Sequence, residues 1–191
     1  MLNKKSIYKD VALLHIENIE SGFLPSLGLK FLTLMYKCID EADFTILEVE
    51  YYDGELKGFI SGTNGKKSLY KEMLKHPLSL LLCLSPIIFD YKKFFKIINI
   101  LKHMASNNRL EFPNSELLTI CVNKKFQRQG VANNLYEKLK NYFREQNIKT
   151  FSIVVGKSLD SNKFYLKQGA YILGLIQVHP GTDSNIYIQE V

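Results

Sequence analysis

A polar turn containing one glycine and one alanine separates an apolar run from an amphipathic helical pattern. The apolar run is Leu117–Val122, and the turn reads Gln-Arg-Gln-Gly-Val-Ala over residues 127–132. At the start of a helix the backbone N–H groups point outward, and the helix dipole favours negative charge. Small residues at Gly130 and Ala132 let a ligand approach the backbone closely. The turn therefore predicts a phosphate-binding site, and its basic residues are Lys124, Lys125 and Arg128.

Two common phosphate-binding loops do not fit this turn. A P-loop requires Gly-x-x-x-x-Gly-Lys-Ser/Thr, and a dinucleotide-binding loop requires Gly-x-Gly-x-x-Gly near the first strand. The chain instead carries Gln127-x-x-Gly130-x-Ala132 between a predicted strand and a predicted helix. This arrangement resembles the phosphate loop of the GNAT superfamily, the acyl-CoA-dependent N-acetyltransferases.

Other stretches resemble the same superfamily. SNKFYLKQGA at 161–170 is similar to its Asn…Phe-Tyr…Gly stretch, and FTILEVEYYDGELKGFISG at 44–62 resembles its second and third strands. With 117–139, the likeness covers residues 8–191 apart from an insert at about 66–104. The resemblance implies an α/β (α+β) fold with a mixed central sheet and helices on both faces. It places a helical insert between the family's third and fourth strands, within a single domain of residues 1–191.

Hydrophobic periodicity and turn residues predict a matching set of elements. Asp53-Gly54 is a strong hairpin turn, Gly169 suits a helix end, and prolines at 77 and 86 are expected to break the helical pattern of the insert. The predicted helices are 10–19, 24–39, 130–146 and 160–168. The predicted strands are 44–52, 56–63, 116–122, 150–155, 171–178 and 185–191.

The resemblance implies acetyl-CoA as the cosubstrate and no metal. It assigns the pyrophosphate to Gln127, Arg128, Gln129, Gly130, Val131 and Ala132. Backbone amides of Ile120, Cys121 and Val122 would hold the thioester carbonyl and the pantetheine. Asn162 would hydrogen-bond the cofactor arm, although an asparagine there could equally be a helix-start cap.

Acetyl transfer to an amine needs an acid for the departing thiolate and a base for the amine. By resemblance Tyr165 is the acid, since a phenol with a pKa near ~10 stays protonated at neutral pH. Glu116 stands where some family members carry the general base, and His179, between the last two strands, is the rival. A water chain is a third option. Roles without chemistry also remain open: Tyr165 could be a core aromatic residue, Glu116 a solvated residue at the start of a strand, and His179 a solvated loop residue.

The positive charge of the chain is concentrated in the insert. The formal net charge is +6, and residues 66–104 alone carry eight lysines against two acidic residues. The insert could be a helical cover with solvated lysines. It could instead shape a pocket for an acidic acceptor, such as a nucleotide-linked amino sugar, or rest on an anionic membrane surface. Nucleic acid is not expected, because the charge is not interleaved along a recognition element.

Composition sets the remaining expectations. Cys38, Cys83 and Cys121 are odd in number and far apart, so neither a disulfide framework nor a zinc site is predicted. The first residues lack the apolar region of a signal peptide, so we expect a cytoplasmic protein. The predicted function is N-acetylation of a small amine, such as an amino sugar. A regulatory acetyl-CoA sensor and a peptide or protein N-acetyltransferase are the alternatives, and monomer and homodimer both remain open.

Overall fold

Six strands form one sheet in the computed structural model, which describes residues 4–19, 23–65, 72–88, 113–179 and 182–191. The strands are β1 (Thr45–Tyr52), β2 (Glu55–Thr63), β3 (Glu116–Val122), β4 (Thr150–Gly156), β5 (Tyr171–His179) and β6 (Thr182–Glu190). Their order across the sheet is β1-β2-β3-β4-β6-β5. Among these strands β3 and β4 are parallel and the other neighbouring pairs are antiparallel, so the predicted mixed sheet is confirmed.

Helices cover both faces of the sheet, as predicted. Phe59 and Ile60 are neighbours on β2 but belong to different apolar clusters, because successive strand residues point to opposite faces. The helices are α1 (Lys4–Asn18), α2 (Phe23–Ser26), α3 (Gly28–Glu41), α4 (Pro77–Ile88), α5 (Val131–Glu145) and α6 (Ser161–Lys167), and a short 3-10 helix spans Lys124–Phe126. Phe59 packs with α1 and α3, whereas Ile60 packs with α5 and α6.

Most predicted boundaries lie within two or three residues of the observed ones, and three helix predictions need correction. Helix α1 begins at Lys4 rather than at residue 10, and the hydroxyl of Tyr8 ties this early part to Asp40 of α3 at 2.6 Å. The helix predicted for 24–39 is divided by a break at Leu27, because Gly28 adopts a positive φ of 85°.

The third correction concerns Pro86, which does not break its helix. Helix α4 begins at Pro77, as expected, but it continues through Pro86 to Ile88. Proline has no N–H to donate to the carbonyl four residues earlier. The hydroxyl of Ser85 donates to that carbonyl, Leu82 O, at 3.0 Å, and so replaces the missing hydrogen bond.

Helix α4 lies in the predicted insert. The insert follows β2 here, because the hairpin that resembles the family's second and third strands supplies β1 and β2 of this chain. Of the eight insert lysines only Lys75 is among the described residues, and the predictions for 66–71 and 89–104 lie outside them. Leu78 and Leu82 of α4 are mostly exposed. None of the described helices is long and apolar enough to cross a bilayer.

A glycine on β2 lets α5 pack close to the sheet. A Cβ built on Gly58 would lie 2.7 Å from the carbonyl oxygen of Cys121 and 3.2 Å from the side chains of Val131 and Leu135. Any larger residue would push against both the neighbouring strand and the helix. Gly58 therefore fixes the distance between α5 and the end of β3, which are the two elements that flank the polar turn.

Candidate functional site

Strands β3 and β4 are paired only where they begin. Their ladder contains Glu116 and Leu117 of β3, whereas β3 is paired with β2 as far as Val122. The β2–β3 register shifts so that Leu118 is an extra residue, and such a bulge bends a strand. Among the described residues, Leu118–Val122 has no strand partner on the β4 side. We call this stretch the open edge of β3.

The polar turn lies at the far end of the open edge and begins α5. Gly130 is the residue before α5, with a φ of 84°, and none of the described side chains caps the helix there. A Cβ on Gly130 would meet no atom of the described residues within 4 Å. The first backbone N–H groups of α5 are therefore available to an anion.

Three of the predicted phosphate-site side chains are engaged within the protein. The amide of Gln127 donates to Val122 O at 3.3 Å, and that of Gln129 donates to Lys125 O at 3.0 Å. Val131 is buried against the core. These three residues shape the turn, and they could offer a ligand mainly their backbone atoms. Gly130 and Ala132 remain at the helix start, as the sequence predicted.

The basic residues of the turn differ in their partners. Lys125 forms an ion pair with Glu55 at 2.7 Å, so part of its charge is already compensated. Lys124 and Arg128 form no ion pair with any residue in the described ranges. Arg128 also has a positive φ of 62°. Lys124 and Arg128 are therefore the cations that an anion at this turn would meet.

Tyr165 of α6 lies across the gap from the open edge and is only 4% exposed. Its ring is surrounded by Phe164, Tyr136 and Tyr187, with centroids 5.3, 6.2 and 6.0 Å away. Burial raises the pKa of its phenol well above the usual value, and the nearby Cys121 raises it further. The phenol is therefore a proton donor throughout the ordinary pH range.

Asn162 braces the site from within the protein. Its amide nitrogen donates to Gly156 O at 2.9 Å and to Leu159 O at 2.6 Å. Its amide oxygen accepts from Asn185 and from the Tyr187 hydroxyl, both at 2.8 Å. The residue before α6 is Asp160, so Asn162 is not the helix-start cap. It ties the end of β4 to α6 and β6, and this places Tyr165.

Glu116 and Cys121 lie towards opposite ends of β3. Glu116 is the first residue of β3 and lies where β3 and β4 are still paired. Cys121, the neighbour of Tyr165, is five residues further on, or roughly 16 Å at the usual strand rise. His179 ends β5, where it pairs with Thr182 of β6, and its side chain lies outside the described part of the chain. The structure thus relates Tyr165 to Cys121 on the open edge.

A buried pair that the sequence did not reveal lies on the other face of the sheet. His15 Nδ1 of α1 and the hydroxyl of Tyr36 of α3 are 2.5 Å apart. Thr119 and Cys121 of the open edge are near the Tyr36 phenol, whose pKa Cys121 raises and Thr119 lowers, although burial dominates and keeps it well above its usual value. The sequence placed His15 on the apolar face of a helix, but only the tertiary fold brings it to Tyr36.

A cavity opens between the end of α1 and the residues that follow β3. Its volume is about 420 Å³, and it is lined by Leu14, Ile16, Glu17, Asn18, Asn123 and Lys124. Glu17 and Lys124 give it one carboxylate and one ammonium group. Within the described ranges, no group of three or more His, Cys, Asp and Glu side chains could hold a metal ion.

Comparisons with known proteins agree with this geometry. The family model of the acetyltransferase (GNAT) domain matches residues 97–173. Among solved structures, an N-acetyltransferase from Staphylococcus aureus Mu50 superimposes with a TM-score of 0.64 at 11% identity, over 100% of this chain and 96% of that one. Ard1 from Thermoplasma volcanium gives 0.59 at 16%, over 96% and 93%. No curated protein sequence matches significantly.

A third solved structure, an aminoglycoside 6'-N-acetyltransferase complexed with coenzyme A, gives a TM-score of 0.61 at 11% identity, over 97% of this chain and 91% of that one. Identities this low establish the fold, a mixed sheet with helices on both faces, which is the fold of solved GNAT acetyltransferases. Residues 97–173, which include the polar turn, α5 and α6, match the GNAT acetyltransferase domain. The domain match and the structural neighbours together indicate an acyltransferase, an N-acetyltransferase.

Proposed function

We propose that this protein transfers the acetyl group of acetyl-CoA directly to a primary amine, without a covalent enzyme intermediate. The observation that carries the proposal is the open edge of β3, which leads from the bulge at Leu118 to the uncapped start of α5. A strand edge without a partner offers backbone donors and acceptors to an extended ligand. The start of α5 offers N–H groups to an anion.

The polar turn would hold the pyrophosphate of acetyl-CoA. Gly130 and Ala132 allow a close approach, and Lys124 and Arg128 supply charge that no described residue neutralises. The pantetheine would then follow the open edge, hydrogen-bonded to the backbone of Ile120, Cys121 and Val122. This orientation brings the thioester towards Cys121 and therefore towards Tyr165.

Tyr165 would protonate the departing thiolate. In the transfer step the amine nitrogen bonds to the thioester carbon, the carbon–sulfur bond breaks, and the sulfur takes the phenolic proton. The raised pKa of Tyr165 keeps that proton in place until the thiolate forms. Asn162 supports the step by holding α6 against β4 and β6, and a direct bond to the cofactor arm would require it to give up an internal partner.

The base that receives the amine proton would act through water. Glu116 is roughly 16 Å along β3 from Cys121 at the usual strand rise, too far for direct proton transfer to an amine at the thioester. A water chain from the amine to Glu116, or to His179, fits this separation. The base loses the amine proton to solvent, and Tyr165 takes one from solvent after the thiol has left, so both groups return to their starting forms.

The acceptor would enter from the α1 face, through the cavity lined by Glu17 and Lys124. Glu17 is the group suited to a cationic amine. The acceptor class extends from amino sugars and other small amines to peptide N-termini, and the lysine-rich insert would favour an acceptor with an acidic group. We also propose that residues 1–191 act as one domain, with the insert of 66–104 as an appendage to it.

Calorimetric titration with acetyl-CoA, followed by thiol release with a panel of amines, tests the proposal. The panel contains glucosamine, a nucleotide-linked amino sugar, an aminoglycoside, a peptide with a free N-terminus and lysine. Binding together with amine-dependent thiol release supports acetyl transfer. Binding without release for any amine would instead indicate an acetyl-CoA sensor, and the lack of binding would refute both.

A further inference from the structure

The His15–Tyr36 pair is an unusual feature of an otherwise apolar cluster. His15 is 2% exposed and Tyr36 is fully buried, yet their polar atoms meet at 2.5 Å. The ring of Phe59 packs edge-on against Tyr36 with centroids 5.2 Å apart. Burying polar groups is costly unless they are hydrogen-bonded, and replacing such a pair by apolar residues is often neutral for stability. Packing of α1 on α3 therefore does not by itself require this pair.

The pair continues to the open edge of β3. Tyr36 packs on Phe59, which pairs with Cys121 of β3, and its phenol is near Thr119, the residue directly after the bulge at Leu118. Within the described residues, the open edge has no ladder on its β4 side. Tyr36 thus connects two helices to the part of β3 that is held by β2 alone.

We propose that His15 and Tyr36 are positioning residues for acetyl transfer. They hold Thr119, and through it the backbone of residues 119–122, at the distance from Tyr165 that the thioester requires. This inference rests on the proposed function, because it assumes that the thioester lies on the open edge. Neither residue touches the reacting atoms, and both act through β3.

The chemistry of the pair fits positioning better than proton transfer. Burial lowers the pKa of His15 to about 4, so the imidazole is neutral in any neutral assay. Burial also raises the pKa of Tyr36 well above its usual value, so its hydroxyl keeps its proton. Neither group therefore changes its protonation state in such an assay, and the hydrogen bond between them persists.

The test removes one hydroxyl and uses a matched control. Tyr36→Phe removes the hydroxyl that meets His15 and is near Thr119. Tyr8→Phe breaks a different α1–α3 hydrogen bond, that of Tyr8 to Asp40. For Tyr36→Phe we expect kcat with the best amine of the panel to fall about 10- to 100-fold. KM for acetyl-CoA should change less than about threefold, because the phosphate contacts remain. Tyr8→Phe should keep the wild-type kcat.

Hydrogen exchange gives a readout that needs no acceptor. The backbone amides of residues 119–122 should exchange faster in Tyr36→Phe than in the wild type, and at the wild-type rate in Tyr8→Phe. If Tyr36→Phe does not fold, His15 provides a second comparison. His15→Gln keeps an acceptor for the Tyr36 hydroxyl and should retain more activity than His15→Leu.

The outcomes separate this inference from the proposed function. Wild-type protein that does not bind acetyl-CoA would overturn both. Wild-type protein that binds acetyl-CoA and acetylates an amine, combined with unchanged kcat and unchanged exchange in Tyr36→Phe, would overturn the positioning role alone. Equal activity of His15→Gln and His15→Leu would do the same.

Discussion

The thiol of Cys121 lies close enough to the phenol of Tyr165 to raise its pKa, although the two residues are on opposite sides of the gap between β3 and β4. Cys121 belongs to the apolar cluster of α1 and α3, and Tyr165 to the cluster of α5 and α6. Their proximity shows that the two clusters meet at the open edge of β3. A ligand on that edge would contact both layers of the protein.

Replacing Tyr165 by phenylalanine should impair chemistry without impairing binding. The ring would still pack among its aromatic neighbours, but the proton donor for the thiolate would be lost. We expect kcat to fall about 10²- to 10⁴-fold, with the calorimetric Kd for acetyl-CoA unchanged. Tyr142→Phe is the control, because the Tyr142 hydroxyl is buried and has no hydrogen-bond partner within the described structure. A Tyr165→Phe enzyme with normal kcat would reduce this residue to a packing role.

The basic side of the pH profile gives a second check on Tyr165. The raised pKa means that Tyr165 keeps its proton beyond the ordinary phenol value of about 10. We therefore expect no loss of kcat from deprotonation of this residue up to about pH 10.

Glu116→Gln should remove the acidic limb of the kcat/KM profile if Glu116 receives the amine proton. An unaltered acidic limb would assign that role to His179 or to water.

A carboxylate at the start of α5 should weaken acetyl-CoA binding. In Gly130→Asp the side chain would face the pyrophosphate, and repulsion of about 1 kcal/mol or more should raise Kd roughly 5- to 50-fold. Gly28→Asp is the control for backbone strain, since Gly28 also has a positive φ, of 85°, and open space around its Cβ position. Similar Kd values for the two variants would place the phosphates elsewhere.

His15 should make the stability of the fold depend on pH below neutrality. Its pKa is about 4 in the folded protein and near 6.5 when unfolded, so acid protonates the unfolded chain first. The stabilisation is complete above about pH 6.5 and is lost as the pH falls towards 4, by up to about 3 kcal/mol. Urea unfolding at pH 7 and at pH 4.5 should show a smaller pH effect in His15→Gln. An equal effect in both proteins would contradict a buried, neutral His15.

Varying the ionic strength and adding lipid vesicles should show what the insert lysines bind. An acidic acceptor predicts that its KM rises with ionic strength, while KM for acetyl-CoA changes less. A membrane surface predicts sedimentation with anionic but not neutral vesicles, and its loss when Lys92, Lys93 and Lys96 become glutamine. Leu82→Gln tests whether the exposed leucines of α4 contribute. If neither salt nor vesicles have a selective effect, the insert lysines are simply solvated.

Sequence reasoning located the strands and the polar turn because their signals are local. An apolar run predicted the strand Glu116–Val122 to the residue, and Asp53-Gly54 formed the predicted hairpin turn with positive φ at both positions. Gly130 likewise opens α5 with a positive φ. Each of these features depends on neighbours in the chain, which a pattern can report.

What the sequence could not predict depends on contacts between distant residues. The pairing of Lys125 with Glu55 joins positions 70 residues apart and removes one of the expected phosphate-site cations. His15 and Tyr36 meet only when α1 packs on α3. Cys121 comes near Tyr165 only because α6 packs beside the gap between β3 and β4. No local pattern encodes any of these distances.

The short ladder between β3 and β4 has a consequence for how the protein unfolds. In the part of the chain that the structure describes, two residue pairs join the half-sheet β1-β2-β3 to the half-sheet β4-β6-β5, and helix α5 packs against strands of both. A molecule bound along the open edge would add hydrogen bonds across this seam. Bound acetyl-CoA would then stabilise the contact between the two half-sheets as well as serve as a substrate. Without it, backbone amides along this seam would exchange hydrogen before either half-sheet unfolds.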